Sequence, residues 1–230
     1  MFTTSHIARC LAVLLTFVRL SRASTIAKDN SSNVPFEEDE QYYCYQNATD
    51  AVRIDGKVYV KLQNFIDPKL PPLCDSAERV AIINETHYNF TLAAVVPFFS
   101  NDTLVKFNTS LVLSKTGNHS EFNAMTYRYS SFEGPKLRKL MYMSPEGDCM
   151  IFVDNRTANE DAKCQLLQPA RYANGSIPSI CLTVYKQNCP GENVTVYYPY
   201  CQNLTTEITL QELLKKLPTT PTTTGATEAC

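Results

Sequence analysis

The sequence predicts an all-β fold, a meander of eight short antiparallel strands closed into a barrel or stacked as a sandwich, with one short helix behind it. Three observations lead there. From Val58 onward the chain is rich in Val, Ile, Thr, Tyr and Phe, broken by short polar stretches at the spacing of strands and turns. Asparagine sequons recur along these runs and mark the outward face of the strands that carry them. Cysteines at 149, 164, 181, 189 and 201 form a ladder of the kind that cross-links small secreted domains.

The elements follow in chain order. Residues 1–23 read as a secretory signal peptide: Arg9 precedes an apolar run from Leu11 to Val18, and Ser21-Arg22-Ala23 offers small residues around a cleavage site. That run is far short of the roughly 20 apolar residues that span a bilayer, and no later stretch is long enough, so the mature chain is expected to be soluble. Cleavage removes Cys10 and three arginines, which leaves eight of nine cysteines and takes the net charge from −2 to −5. A mildly acidic chain argues against nucleic acid as a partner. Eleven sequons follow, at Asn30, Asn47, Asn84, Asn89, Asn101, Asn108, Asn118, Asn155, Asn174, Asn193 and Asn203. Behind a leader they imply a heavily glycosylated, secreted, extracellular protein with those asparagines on its surface.

Residues 24–40 are polar, end in Glu37-Glu38-Asp39-Glu40, and are expected to be a flexible acidic arm. One domain is expected over 41–204. Its strands are placed at 56–65, 76–84, 86–97, 102–114, 121–131, 137–143, 148–154 and 162–168. Strand side chains alternate between faces, so an outward Asn108 turns Val105, Phe107, Leu111 and Leu113 inward. An outward Asn89 does the same for Tyr88, Phe90, Leu92 and Ala94. In the next segment Met125, Tyr127 and Tyr129 share a face. So many tyrosines suit either a hollow interior holding ligand or water, or a wall in which some of them face out.

After Pro178 the stretch 179–188 reads as a single short helix, with Ile180, Val184 and Tyr185 on its buried side. A last strand is expected from Val194 to Tyr198. Residues 205–230 form a C-terminal segment in which Ile208, Leu210, Leu213, Leu214 and Leu217 recur at helical spacing, followed by a Thr/Pro-rich tail unable to build a core.

These features resemble one family. The stretch GKVYVKLQNF with Cys74 shortly after, then DCMIFV, CQLLQ, IPSIC and the terminal VYYPYC are similar to those of tick salivary lipocalins, the family named for its histamine-binding members. The resemblance covers roughly Tyr42 to Asn203. It implies an eight-stranded antiparallel lipocalin-like barrel, with a short N-terminal helix over Glu38 to Ala51 closing one end and a C-terminal helix outside. It also implies the bridges Cys74–Cys201, Cys149–Cys181 and Cys164–Cys189. Cys44 and Cys230 are left to pair with each other or with another chain. A monomer is expected, with a covalent dimer through Cys230 or Cys44 as the alternative.

In amine-binding members of this family, an acid follows the first cysteine of the ladder and a Glu-Leu-aromatic triplet comes later. The two acids hold the ligand's ammonium, because a buried cation needs a buried anion beside it. This chain departs at both positions: Met150 stands for the first acid and Gln165-Leu166-Leu167 for the triplet. The expected pocket is therefore apolar, lined by Met150, Phe152, Leu167, Phe90, Phe107, Tyr127 and Tyr129, with Gln165 as a polar group. A fatty-acid-derived or sterol-like ligand fits it better than histamine. A carboxylate head would seek Arg128, Arg138 or Lys139, of which Arg128 has the outward parity. The alternative to a pocket is that the same residues fill a solid core.

Three function classes result. The first is a secreted lipocalin that sequesters a small host mediator, an eicosanoid or sterol-like lipid. The second is an inhibitor of a host defence protein, a complement component or chemokine, on the same scaffold. The third, an enzyme, is rejected. The mature chain has only His87 and His119, both expected in solvated loops beside sequons, and Glu146 and Asp148 read as turn residues. No metal or cofactor is expected.

Overall fold

The computed structural model describes residues 34–66, 72–97, 99–128, 134–158 and 160–216. Two 3-10 turns, Phe36–Glu38 and Glu40–Tyr45, lead into helix α1 (Ala48–Val52). Side chains start the second turn and the helix: Asp39 accepts from the Gln41 amide and Asn47 from the Thr49 amide. Eight strands follow: β1 (Lys57–Gln63), β2 (Ser76–Ile82), β3 (His87–Val95), β4 (Thr103–Ser114), β5 (Ala124–Tyr127), β6 (Lys136–Met143), β7 (Met150–Asp154) and β8 (Cys164–Pro169). Each pairs antiparallel with the next, and β8 returns to β1, so the meander closes as a barrel rather than a sandwich. Closure removes the free strand edges that an open meander would expose.

Beyond the barrel come α2 (Ala170–Ala173), α3 (Ser179–Asn188), β9 (Val194–Thr195), a 3-10 turn at Pro199–Asn203, β10 (Thr206–Thr209) and α4 (Leu210–Lys216). None of the described helices is long and apolar enough to cross a membrane.

The strands divide the apolar residues by face. Val58, Val60, Tyr88, Leu111, Leu113, Met125, Leu140, Met150, Phe152 and Leu167 pack together inside the barrel, as period-2 alternation requires. The opposite faces of β7 and β8, with Ile151, Val153 and Leu166, pack against Val184 and Tyr185 of α3. The bonds Cys149–Cys181 and Cys164–Cys189 tie that helix down at both ends. Cys74–Cys201 ties the start of β2 to the segment crossing the outside of β1, where Tyr59, Ala93, Val95 and Tyr197 form a third cluster. The three bridges are those implied by the family resemblance. Cys44 is disulfide-bonded too, but its pairing, and with it any bond to Cys230, lies outside the described residues.

Several local expectations are corrected. The arm expected to be flexible up to residue 40 is packed at its end. Glu37 is fully buried and makes a bidentate pair with Arg156, Nε to Oε1 at 2.9 Å and Nη2 to Oε2 at 3.1 Å. The single N-terminal helix is two 3-10 turns and α1. The last strand stops at Thr195, since Pro199 starts a 3-10 turn. Ile208 is in β10, a strand that pairs parallel with Thr103–Lys106 of β4, beside a part of β4 that β5 does not reach. Leu213 of α4 is buried with Val96 and Val105. The 121–131 strand runs only over Ala124–Tyr127, with 129–131 outside the described residues.

His119 is also corrected. It is a buried residue, not a solvated one. Its Nε2 meets Gln46 Oε1 at 2.7 Å, its Nδ1 meets the Thr116 carbonyl at 2.9 Å, and its ring stacks on Tyr43. The N-terminal turns fold over the β4–β5 loop and bury it, a contact that no local pattern announces. His87 is exposed.

Candidate functional site

The interior of the barrel is the candidate site, and its two ends differ. At the end where β1 begins, α1 is a floor: Ala48, Ala51 and Val52 belong to the interior cluster. Ala48 N–H donates to the Phe122 carbonyl at 2.7 Å, and Arg79 donates to the Val52 carbonyl at 3.0 Å while pairing with Asp55. Above that floor Tyr88 and Leu140 are fully buried and Met150 nearly so. Toward the other end, residues of the same inward parity are only half-buried: Phe90, Leu92, Phe107 and Tyr127. The floor is filled, and solvent reaches the wall near the opposite mouth.

The inward wall also carries a polar relay. Arg138, 4 % exposed, donates from Nη1 to Gln165 Oε1 at 2.6 Å and to Tyr127 Oη at 3.2 Å. Its Nε faces Asp154 Oδ1 at 2.9 Å. Gln165 Nε2 donates to Gln63 Oε1 at 2.9 Å, and Gln63 Nε2 to the Phe65 carbonyl at 2.7 Å. This is how a guanidinium is held in an apolar barrel: one carboxylate balances its charge, and amide and phenol oxygens take its hydrogens.

Met150, Phe152, Leu167, Gln165 and Tyr127 therefore meet on the interior wall, with Phe90 packed against them. Phe107 has the inward parity but lies nearer the rim, paired with Leu92. Tyr129 lies outside the described residues. Of the three cationic candidates, Arg138 points inward. Lys139 points outward and pairs with Glu38 at 2.6 Å, and Arg128 is exposed. The residues missed by sequence reasoning are Gln63 and Asp154. Asp154 shares parity with Phe152 and was legible on that ground. Gln63 was not, because the register slips between Val60 and Leu62 and reverses the alternation before it.

Two recesses lie on the outside of the barrel. One, of about 240 Å³, is bounded by Val80, Asn89, Asn108, Thr109 and Ser110. The other, of about 150 Å³, lies between the β6–β7 turn and the start of α3. Among the described residues no cluster of His, Cys, Asp and Glu could hold a metal ion.

The family described as tick histamine binding protein matches residues 36–203, most of the chain and all eight barrel strands. The chain belongs to the tick histamine binding protein family. Members are ligand-binding lipocalins, and this member has the closed eight-stranded barrel. No curated protein matches the chain. Among solved structures it is similar to insecticyanin of the tobacco hornworm Manduca sexta, with 11% identity, a TM-score of 0.52, and coverage of 72% of this chain and 90% of that one. It is also similar to the AM182 serotonin complex, with 13% identity, a TM-score of 0.50, and coverage of 69% and 94%. At such identities the likeness is one of fold.

Proposed function

We propose that this family member is a secreted carrier that sequesters a small apolar ligand, an eicosanoid or sterol-like lipid, in preference to histamine. The observation that carries the reading is the cation inside the barrel. Where amine-binding relatives are described as placing an acid, this chain has Gln165, and Gln165 accepts from the guanidinium of Arg138. An ammonium brought there would find the nearby acid, Asp154, already paired with the guanidinium. A carboxylate or hydroxyl would meet a donor. Around that point Phe90, Tyr127, Phe152 and Leu167 supply the apolar wall such a ligand needs. The leader, the sequons and the disulfides support secretion, the condition for meeting a host mediator.

The test is native mass spectrometry of the secreted, deglycosylated protein, followed by organic extraction and lipid analysis. A stoichiometric lipid, or uptake of an added fatty acid or sterol without response to histamine, is expected. Uptake of histamine alone would overturn the lipid preference and point to Asp75, the acid beside Cys74 that bonds through its carbonyl to the Val60 amide. A protein that takes up neither would move the search to protein partners on the outer surface.

A further inference from the structure

The outer side of β2 is unusually apolar for a solvated surface. Val80 and Ile83 are 59% and 60% exposed and Ala81 shares their outward face, opposite Asn89, whereas Ile82, opposite Tyr88, has the inward parity at the end of the barrel. Three sequon asparagines surround Val80, Ala81 and Ile83. Asn84 follows Ile83 directly, Asn89 lies opposite Ala81 across the β2–β3 pair, and Asn108 lies one strand further on. Asn89 and Asn108, with Val80, bound the recess of about 240 Å³.

The register interlocks the last two sequons. Asn89 faces Ser110 and Thr91 faces Asn108, so each asparagine lies opposite the hydroxyl residue of the other's motif. Diagonal neighbours of this kind stand about 7–8 Å apart. Thr91 Oγ1 donates to Asn108 Oδ1 at 2.8 Å. Asn84 Oδ1 accepts from the Thr86 amide at 2.9 Å, the Thr86 hydroxyl at 3.1 Å and the His87 amide at 2.9 Å. These bonds use the amide oxygens alone, and the sugar is carried by the amide nitrogen.

We propose that N-linked glycans on Asn84, Asn89 and Asn108 form a roof over Val80, Ala81 and Ile83 and keep this face from self-association. The inference rests on the secretory reading and is independent of what the barrel binds. Attachment requires a lipid-pyrophosphate-linked oligosaccharide: Nδ2 bonds to the anomeric carbon, the bond from that carbon to the pyrophosphate oxygen breaks, and Nδ2 loses one proton. The sugars then lay their C–H faces on the branched side chains, removing apolar area from water.

The test uses the full chain secreted from a eukaryotic cell, with site occupancy read by glycopeptide mass spectrometry and mass in solution by light scattering. N84Q/N89Q/N108Q is expected to shift from monomer to dimer or larger, and adding V80T/I83T to restore the monomer. A control stripped elsewhere, N155Q/N174Q/N193Q, is expected to stay monomeric. Three unmodified asparagines in the secreted protein would overturn the proposal, as would a monomeric N84Q/N89Q/N108Q. If that variant is not secreted, the folded wild type trimmed to one sugar per site replaces it. Association that V80T/I83T prevents supports the roof, and a monomer overturns it.

Discussion

Arg138 sets the chemistry of the interior. Hydrogen bonds to a charged group contribute about 1.5–3 kcal/mol, so Arg138→Gln should weaken binding of a long-chain fatty acid by about tenfold to a hundredfold. Binding of its methyl ester should change far less, and displacement of a fluorescent fatty acid reads both. Equal losses for acid and ester would deny Arg138 the role of head-group donor. A second prediction concerns Tyr185, on the fully buried face of α3, whose hydroxyl has no hydrogen-bond partner among the described residues. Tyr185→Phe removes an unsatisfied group and should leave thermal stability unchanged or raised. Tyr88→Phe, which loses a bond to the Glu85 carbonyl at 3.0 Å, should lose about 1 kcal/mol. A third concerns pH. Burial pushes the Asp75 carboxyl up from 3.8 to about 6. The folded state therefore holds this proton more tightly than the unfolded chain, so the penalty of ionising it is absent below about pH 4, grows between about 4 and 6, and is complete above about 6. Asp75→Asn should accordingly stabilise the protein by about 1–3 kcal/mol at pH 8 and by little at pH 4, as urea titrations at the two pH values would read.

At the scale of elements, β10 and α4 form an appendage whose attachment rests on few residues. The parallel pairing with β4 supplies its backbone bonds, and Leu213 buries its apolar side against Val96 and Val105. Leu213→Ala should speed hydrogen exchange across 206–216 by tenfold or more while leaving β1–β8 protected. Equal loosening of the barrel would show that the appendage is part of the barrel's cooperative unit. The elements also show what a sequence can and cannot display. Strand β4 was legible because a sequon on one parity and Phe107, Leu111 and Leu113 on the other told the same story. Helix α3 was legible because Pro178 opens it and Val184 and Tyr185 share a face. What resisted reading was set by contacts distant in the chain. Ile208 has helical spacing with Leu210 and Leu213, yet the edge of β4 that β5 leaves open draws it into a strand. Glu37 looks like part of an acidic arm until Arg156, over a hundred residues later, meets it.

For the whole molecule, the barrel combines a rigid floor with a more open upper wall. Tyr88, Leu140 and Met150 are packed out, and Phe90, Phe107 and Tyr127 are not. A ligand seated there should stabilise the native state without remodelling it. At a free concentration one hundred times its Kd, the gain is about 2.7 kcal/mol, read as a higher midpoint of urea unfolding with an unchanged slope. A ligand that shifts the slope instead would indicate a change in compactness.

The bond between Cys74 and Cys201 joins residues 127 positions apart. On the chain-entropy model a loop of that size contributes about 4–5 kcal/mol to the finished protein. The same distance has a cost in time. At 5–20 residues per second, Cys74 waits roughly 6–25 s as a thiol before Cys201 is made. During that wait Cys149, Cys164, Cys181 and Cys189 all emerge as rival partners. The barrel's first hairpin must hold its cysteine in reserve while α3 is being fastened, so the order of oxidation is as much a part of this fold as the order of its strands.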